Sequence, residues 1–324
     1  MKGKRSRRTG TLLRRSRIAA PSRFSGTLCR RDFSLANKAK CSQSERPMSG
    51  QLGDAGPTRS ATAPWDAASP GYRGAKAERF MQTDAAWKKW GEQDAYYAVL
   101  TLEKLRRASF DQFRDEFFES GEIDIRERLA IIGRLYGPLP RHRAVDFGCG
   151  VGRLTIPLSH RYAKVIGVDI SPAMISEAEK NCRQFGAQAV TFCQTANEIA
   201  PNSVDLVTSI IVLQHIRVKQ GLKIIEDLLD TLVVGAVAAL DVTVYHKFPM
   251  KHEIVYRIKH GIPGAWVLLN LIHGKRLSEP PMEMNEYPLD TVLEIYHRKG
   301  MDNIVLQPVF GNSWGFTVMG QRGR

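Results

Sequence analysis

Nothing in this 324-residue chain approaches the eighteen or so uninterrupted apolar residues that a membrane-spanning helix needs. The longest candidate, residues 262–272, is broken by Pro263 and Asn270, so a spanning helix is excluded. Cysteine is scarce: Cys29, Cys41, Cys149, Cys182 and Cys193 form no C-x-x-C pair and have no histidine at metal-ligand spacing. That excludes a zinc site and a disulfide framework. We expect no metal, free thiols and a reducing, cytoplasmic compartment. Acidic residues are nearly missing from one end. Residues 1–80 hold 18 Lys/Arg against 5 Asp/Glu, a net +13 of the chain's +14, whereas residues 81–324 hold 29 against 28. The charge expected of a nucleic-acid binder thus belongs to an N-terminal arm, and the rest is nearly neutral.

From Met1 to about Arg73 the composition is Arg, Ser, Gly, Ala and Pro, with few aromatics and no sustained periodicity. So little apolar surface cannot offset the ordering entropy, and residues 1–77 are expected to be a disordered basic arm. Three uses suit it: an organellar import peptide, an electrostatic tether to nucleic acid or anionic membrane, or translated sequence upstream of a true start at Met48 or Met81. A secretory signal is disfavoured because no apolar segment of adequate length follows the basic residues.

With 43% hydrophobic residues overall, the chain can bury a core of ordinary size. Helical spacing of Trp87 and Trp90, of Phe110, Phe113 and Phe117, and of Ile125, Leu129 and Ile132 predicts a cap of short helices over 78–140, with Gly121 and Gly137 as stops. Strands then alternate with helices: Ala144–Phe147, Val165–Asp169, Val190–Cys193, Val204–Ser209 and Ala236–Tyr245, with helices from Ser171, through Leu222 to Leu229, and around Leu289–Tyr296. Asn303–Phe310 and Trp314–Met319 read as a closing hairpin. The pattern predicts an α/β domain over 141–324. Its sheet is mostly parallel with a C-terminal antiparallel hairpin, and helices lie on both faces. The basic stretch 246–281 interrupts the rhythm and reads as an insertion after the fifth strand.

The most informative segment is Ala144-Val-Asp-Phe-Gly-Cys-Gly-Val-Gly-Arg153, a strand running into a glycine-rich turn. Gly148 and Gly150 permit a tight turn and close approach of a ligand to backbone N–H groups expected to be free. Nineteen residues beyond Gly150, Asp169 ends a second strand, positioned to accept hydrogen bonds from ribose hydroxyls. A dinucleotide fingerprint needs a third glycine where Arg153 stands. Asp146, two residues before the first glycine, would repel a pyrophosphate and attract the ammonium of a methionyl group. The combination favours S-adenosylmethionine over a nicotinamide dinucleotide.

These motifs, with Val204-Asp-Leu-Val-Thr-Ser-Ile-Ile-Val-Leu-Gln-His-Ile216, resemble a class I S-adenosylmethionine-dependent methyltransferase of Rossmann-like fold. Trp87–Leu100 resembles the lid of a bacterial small-molecule subgroup. The resemblance implies a cofactor pocket built from Asp146, Gly148, Cys149, Gly150, Arg153, Asp169, Ile170, Thr195, Ala196, Asn197, Ser209 and Ile210. Asp169 would hold the ribose and Ile170 would pack on adenine. Where the family often has an acidic residue for the adenine amino group, this chain has Gln194-Thr195-Ala196-Asn197.

A sulfonium is already activated, so a methyltransferase chiefly aligns the acceptor and excludes water, worth up to about 7–11 kcal/mol. His215, after the fourth strand, is the candidate general base for a hydroxyl or amine acceptor; the competing reading is a structural histidine. Cys149 reads as a small filler in the turn. The expected partner is a small-molecule acceptor. The alternative is an RNA or protein methyltransferase tethered by the arm. Against base methylation, the fourth strand ends in Ser209-Ile-Ile-Val rather than Asn/Asp-Pro-Pro-aromatic, and no Pro-Cys pair supplies an attacking thiol. An oxidoreductase and a non-catalytic cofactor-binding module share the same sheet and complete the alternatives.

Overall fold

The strands of the computed structural model are β1 (Arg143–Phe147), β2 (Lys164–Val168), β3 (Val190–Cys193), β4 (Val204–Ser209), β5 (Leu232–His246), β6 (Met301–Phe310) and β7 (Ser313–Arg322). They form one sheet in the order β3-β2-β1-β4-β5-β7-β6. β1 to β5 pair in parallel, and β7 runs antiparallel to both β5 and β6. The structure describes residues 83–246, 271, 278–280, 282–310 and 313–324, all within one compact unit, Ala68–Arg324. The arm expected over 1–77 and most of the expected insertion at 246–281 lie outside the described residues.

Neighbouring residues of the central strands belong to different cores. Val145, Val207, Ala238 and Leu240 pack with α5 (Val218–Asp230) and α6 (Leu289–Arg298). Ala144, Leu206, Val237 and Ala239 pack with α2 (Phe110–Tyr136) and α3 (Thr155–Ser159). Strands buried on both faces need apolar residues at every position, which is why the sequence reads as unbroken hydrophobic runs there. A third core joins α1 (Thr83–Leu100) and α2 to α4 (Pro172–Gln184) through Trp90, Tyr97, Phe117 and Met174.

The N-terminal helices correct the expectation of a short-helix cap. α2 runs for 27 residues straight through Gly121, which does not stop it. A Cβ there would lie 2.2 Å from the Arg153 carbonyl oxygen, so glycine is present to let α2 lie directly on the turn after β1. α1 is kinked at Asp94 (φ −159°, ψ 67°), whose carboxylate accepts from the Arg107 amide at 3.0 Å. From α2, the Arg128 guanidinium reaches three strands, β4, β5 and, through the Thr317 hydroxyl at 3.4 Å, β7. It bonds the Ser209 and Ala239 carbonyls at 3.3 and 3.0 Å and the Asp241 carboxylate at 2.7 Å. The cap is therefore pinned to the carboxyl end of the sheet, where open α/β folds bind ligands.

Candidate active site

β1 and β4 are neighbours while the chain leaves β1 toward β2, so the crevice between their carboxyl ends is a topological switch point. The glycine turn sits there, with left-handed φ of 75°, 53° and 89° at Gly148, Gly150 and Gly152. Its amides are engaged, contrary to the expectation that they point free. Gly148 and Cys149 donate to the Val168 carbonyl at 2.8 and 3.0 Å, and Gly150 donates to Asp169 Oδ2 at 2.9 Å. A turn without ladder partners of its own is braced by the end of β2. What it offers a ligand is missing side chains. A Cβ on Gly148 would come 2.3 Å from Val212, and one on Gly150 2.9 Å from Val99 of α1.

A cavity of about 370 Å³ opens above this turn. Eight of the residues expected in the site line it: Gly148, Asp169, Ile170, Thr195, Ala196, Asn197, Ile210 and His215. The other five expected residues are not in its wall. Asp146 is fully buried and accepts from Thr155 Oγ1 at 2.6 Å, while its Oδ1 has no hydrogen-bond partner. Gly150 binds Asp169. The Cys149 thiol packs under Gly167, with burial pushing its pKa well above the usual thiol value. Arg153 turns away to α2 and pairs with Asp124 at 2.6 Å, because the long guanidinium finds a carboxylate on the helix laid over the turn. Ser209 donates to the Phe147 carbonyl at 3.0 Å and ties β4 to β1.

The wall also holds Trp87, from the segment resembling a lid, and residues that sequence reasoning missed. Asp84 comes from the first turn of α1, and Gln220, Ile224 and Asp227 form one face of α5. Their spacing of four and three was the available signal, but a face alternating polar and apolar residues reads equally well as a solvated helix. Gln220 Nε2 donates to Asp84 Oδ1 at 3.5 Å, joining the two helices across the mouth.

Asp169 accepts from both Gly150 and Ser171 amides (2.9 Å each), yet burial outweighs these bonds and lifts its pKa to about 6. Asp146 is pushed up to about 6 by the same cause. His215 packs against Trp87 with ring centroids 4.9 Å apart and planes tilted by 56°, and burial lowers its pKa to about 4. Ile211, at the loop's exposed tip, has φ of 60°, a left-handed conformation strained for a β-branched residue. Ile211→Asn, which tolerates that region, is expected to stabilise the fold by about 1 kcal/mol. Calorimetry should show this as a rise in Tm of about 2–4 °C.

The sheet order, the antiparallel seventh strand, the glycine turn and the carboxylate ending β2 define the Rossmann-like fold of class I S-adenosylmethionine-dependent methyltransferases. Residues 144–235 match a family model described as a methyltransferase domain, and that domain implies S-adenosylmethionine as the cofactor. The ubiquinone biosynthesis O-methyltransferase of Methylococcus capsulatus is 35% identical over 81 residues, 24% of this chain and 34% of that protein. A 23S rRNA (uracil-C5)-methyltransferase of Alcanivorax borkumensis is 30% identical over 108 residues, 33% of this chain and 23% of that protein. The chain thus spans about a third or less of the curated relatives it matches. Among solved structures, magnesium protoporphyrin IX methyltransferase from Synechocystis with bound S-adenosylmethionine is 18% identical, with a TM-score of 0.48. The match covers 76% of this chain and 99% of that one.

The residues present fit the cofactor. Asp169 faces the cavity as an acceptor for hydroxyls, Ile170 and Ala196 are apolar walls for a base, and Asn197 can both donate and accept. Under the turn, the open Asp146 Oδ1 is an acceptor awaiting a donor. No described helix is long and apolar enough to cross a membrane.

Proposed function

We propose that this protein transfers a methyl group from S-adenosylmethionine to a hydroxyl or amine of a small molecule. The observation that carries the reading is the cavity itself. It is ligand-sized and roofed by α1, and beyond the cofactor-type residues its wall includes an aliphatic and aromatic side made by Trp87, Val99, Val212 and Ile216. The bound sulfonium supplies an activated methyl group. The chain's own residues then hold and align: Asp169 fixes the sugar, the glycine turn admits the amino-acid end, and α1 excludes water above the reacting atoms.

Two observations weigh against a nucleic-acid acceptor. Residues 81–324 carry 29 basic against 28 acidic residues, too balanced for a phosphate-tracking surface. Methylating a uracil carbon requires a nucleophile to add to the ring first. Neither Cys149, Cys182 nor Cys193 lines the cavity, and burial raises the pKa of all three. The tethered RNA or protein reading rests on the basic arm and on the partial match to a 23S rRNA methyltransferase.

The test is calorimetric titration of S-adenosylhomocysteine, and separately NADH, into the full chain. Labelled-methyl transfer to a panel of phenols, alcohols and amines is then compared with transfer to total RNA. Saturable binding of S-adenosylhomocysteine alone is expected, with label entering small molecules. Absence of binding would remove the methyltransferase reading. Labelling of RNA that falls steeply with salt would replace the acceptor class with the tethered one.

A further inference from the structure

Three hydrogen bonds beneath the cavity run in one direction. Thr243 Oγ1 donates to Gln214 Oε1 at 3.0 Å, which orients the amide. Its Nε2 therefore meets Nε2 of His215, at 3.2 Å, as the donor. On the far side Nδ1 of His215 lies 2.8 Å from the Glu283 carbonyl, which can only accept, so Nδ1 carries the hydrogen. The imidazole is the neutral Nδ1–H tautomer, and its one lone pair is taken.

The groups packed around the ring agree. Glu283 directs its carboxylate to Arg217 at 3.6 Å, and burial of the His215 ring disfavours its protonation, with His246 of β5, beside Glu286 at 3.5 Å, adding a smaller push the same way. Trp87 of α1 covers the ring, and among the described residues His215 makes no ion pair with a carboxylate. Asn285 reinforces the arrangement by donating its backbone amide to the Gln214 carbonyl at 2.6 Å.

We propose that His215 is a positioning residue rather than the base: a neutral strut, fixed by Thr243, Gln214 and the Glu283 carbonyl, that holds the Trp87 indole of α1 in the cavity wall. The role assigned to the indole rests on the methyl-transfer reading above. It has a consequence for the acceptor. The carboxylates in the wall are engaged, Asp169 by two amides, Asp227 by Lys223 and Asp84 by Gln220, and each is far too weak a base for an aliphatic alcohol. The acceptor is then nucleophilic by itself, a neutral amine or a phenol acidic enough to ionise near neutral pH. Its lone pair forms the bond to the methyl carbon as the carbon–sulfur bond breaks and leaves its electrons on sulfur. A methylated amine afterwards releases its proton to water, and a phenolate has none to lose.

Imidazole nitrogen spectra of the full-length protein test the strut, with His215→Asn assigning the signal. The expected result is an Nδ1–H ring that does not titrate between pH 5.5 and 8, and that gains a proton on Nε2 in Gln214→Glu. A ring that titrates between pH 6 and 7.5, or carries its hydrogen on Nε2 in the wild type, would overturn the proposal. Trp87 emission, assigned by Trp87→Phe, is expected to shift red in His215→Ala and to recover in His215→Asn, whose amide can still donate to the Glu283 carbonyl. An unchanged emission in His215→Ala would also overturn it. Neither readout needs cofactor or turnover, so failure here is distinct from failure to bind S-adenosylhomocysteine. In turnover, labelling of an aliphatic alcohol that is lost in His215→Asn would restore the base.

Discussion

Asp169→Ala is expected to weaken S-adenosylhomocysteine binding about a hundredfold. A hydrogen bond to a charged group contributes about 1.5–3 kcal/mol, and a ribose presents two hydroxyls to one carboxylate. Allowing for water entering the vacated space, a loss of about 2.7 kcal/mol corresponds to that factor at 25 °C. The side chain also braces the site, because its oxygens accept from Gly150 on one side and Ser171 on the other. Asp169→Asn keeps one acceptor oxygen and should lose nearer tenfold. Calorimetric titration of both variants checks the order, and an Asp169→Ala affinity within threefold of wild type would remove this residue from the cofactor site.

The same carboxylate gives the site a pH dependence of definite sign. Burial lifts Asp169 to about 6, and only its ionised form accepts from both hydroxyls of a sugar. The ligand's own ammonium and carboxylate do not change charge between pH 5 and 7.5. Affinity should therefore be steady above about pH 7 and fall by roughly tenfold toward pH 5. Titrations at the two pH values measure this, and Asp169→Ala should show a shallower fall.

The second large effect is expected at Gly121. Adding a methyl group there puts a Cβ 2.2 Å from the Arg153 carbonyl oxygen and 2.9 Å from its Cγ, and the backbone oxygen cannot swing aside. α2 must lift off the turn or the turn must shift. Overpacking of this kind costs about 3 kcal/mol, a fall in Tm of roughly 6–12 °C for a unit of this size. Gly133, on the same helix with nothing within 4 Å of a Cβ, supplies the control. Gly133→Ala should raise stability by about 0.5–1 kcal/mol, since alanine favours helix over glycine. Thermal unfolding of the pair decides the matter: equal effects would mean that helix propensity, not contact with the turn, governs Gly121. Gly121→Ala should also weaken S-adenosylhomocysteine binding, because the displaced turn is the floor of the cavity.

Gly121 shows why sequence predicts short helices where one long helix runs. In sequence, glycine inside a helical pattern signals a stop, and nothing local distinguishes that from a glycine that lets two backbones meet. Arg153 failed for a related reason. Its place next to the turn suggested a ligand contact, but its partner Asp124 lies 29 positions away on another helix. The turn amides were expected to be free because they precede a helix; instead β2, the next strand, supplies the acceptor at Val168. The position of His215 after β4 suggests a base, whereas the three bonds that fix its tautomer come from Gln214, Thr243 and Glu283, of which only the first is a sequence neighbour.

What the sequence by itself determined were features with a short period or a fixed offset. The alternating strands and helices, the turn Gly148-Cys-Gly150, Asp169 at the end of the next strand and the terminal hairpin all depend on residues within about twenty positions of one another, where backbone geometry acts directly. The tertiary structure alone decided the roof of the cavity, the engagement of the turn amides, the burial that lifts Asp146 and Asp169, and the neutral state of His215. Each of these depends on segments brought together by burying two faces of one sheet. A contact across that fold is set by packing, and packing leaves no periodic trace in the chain.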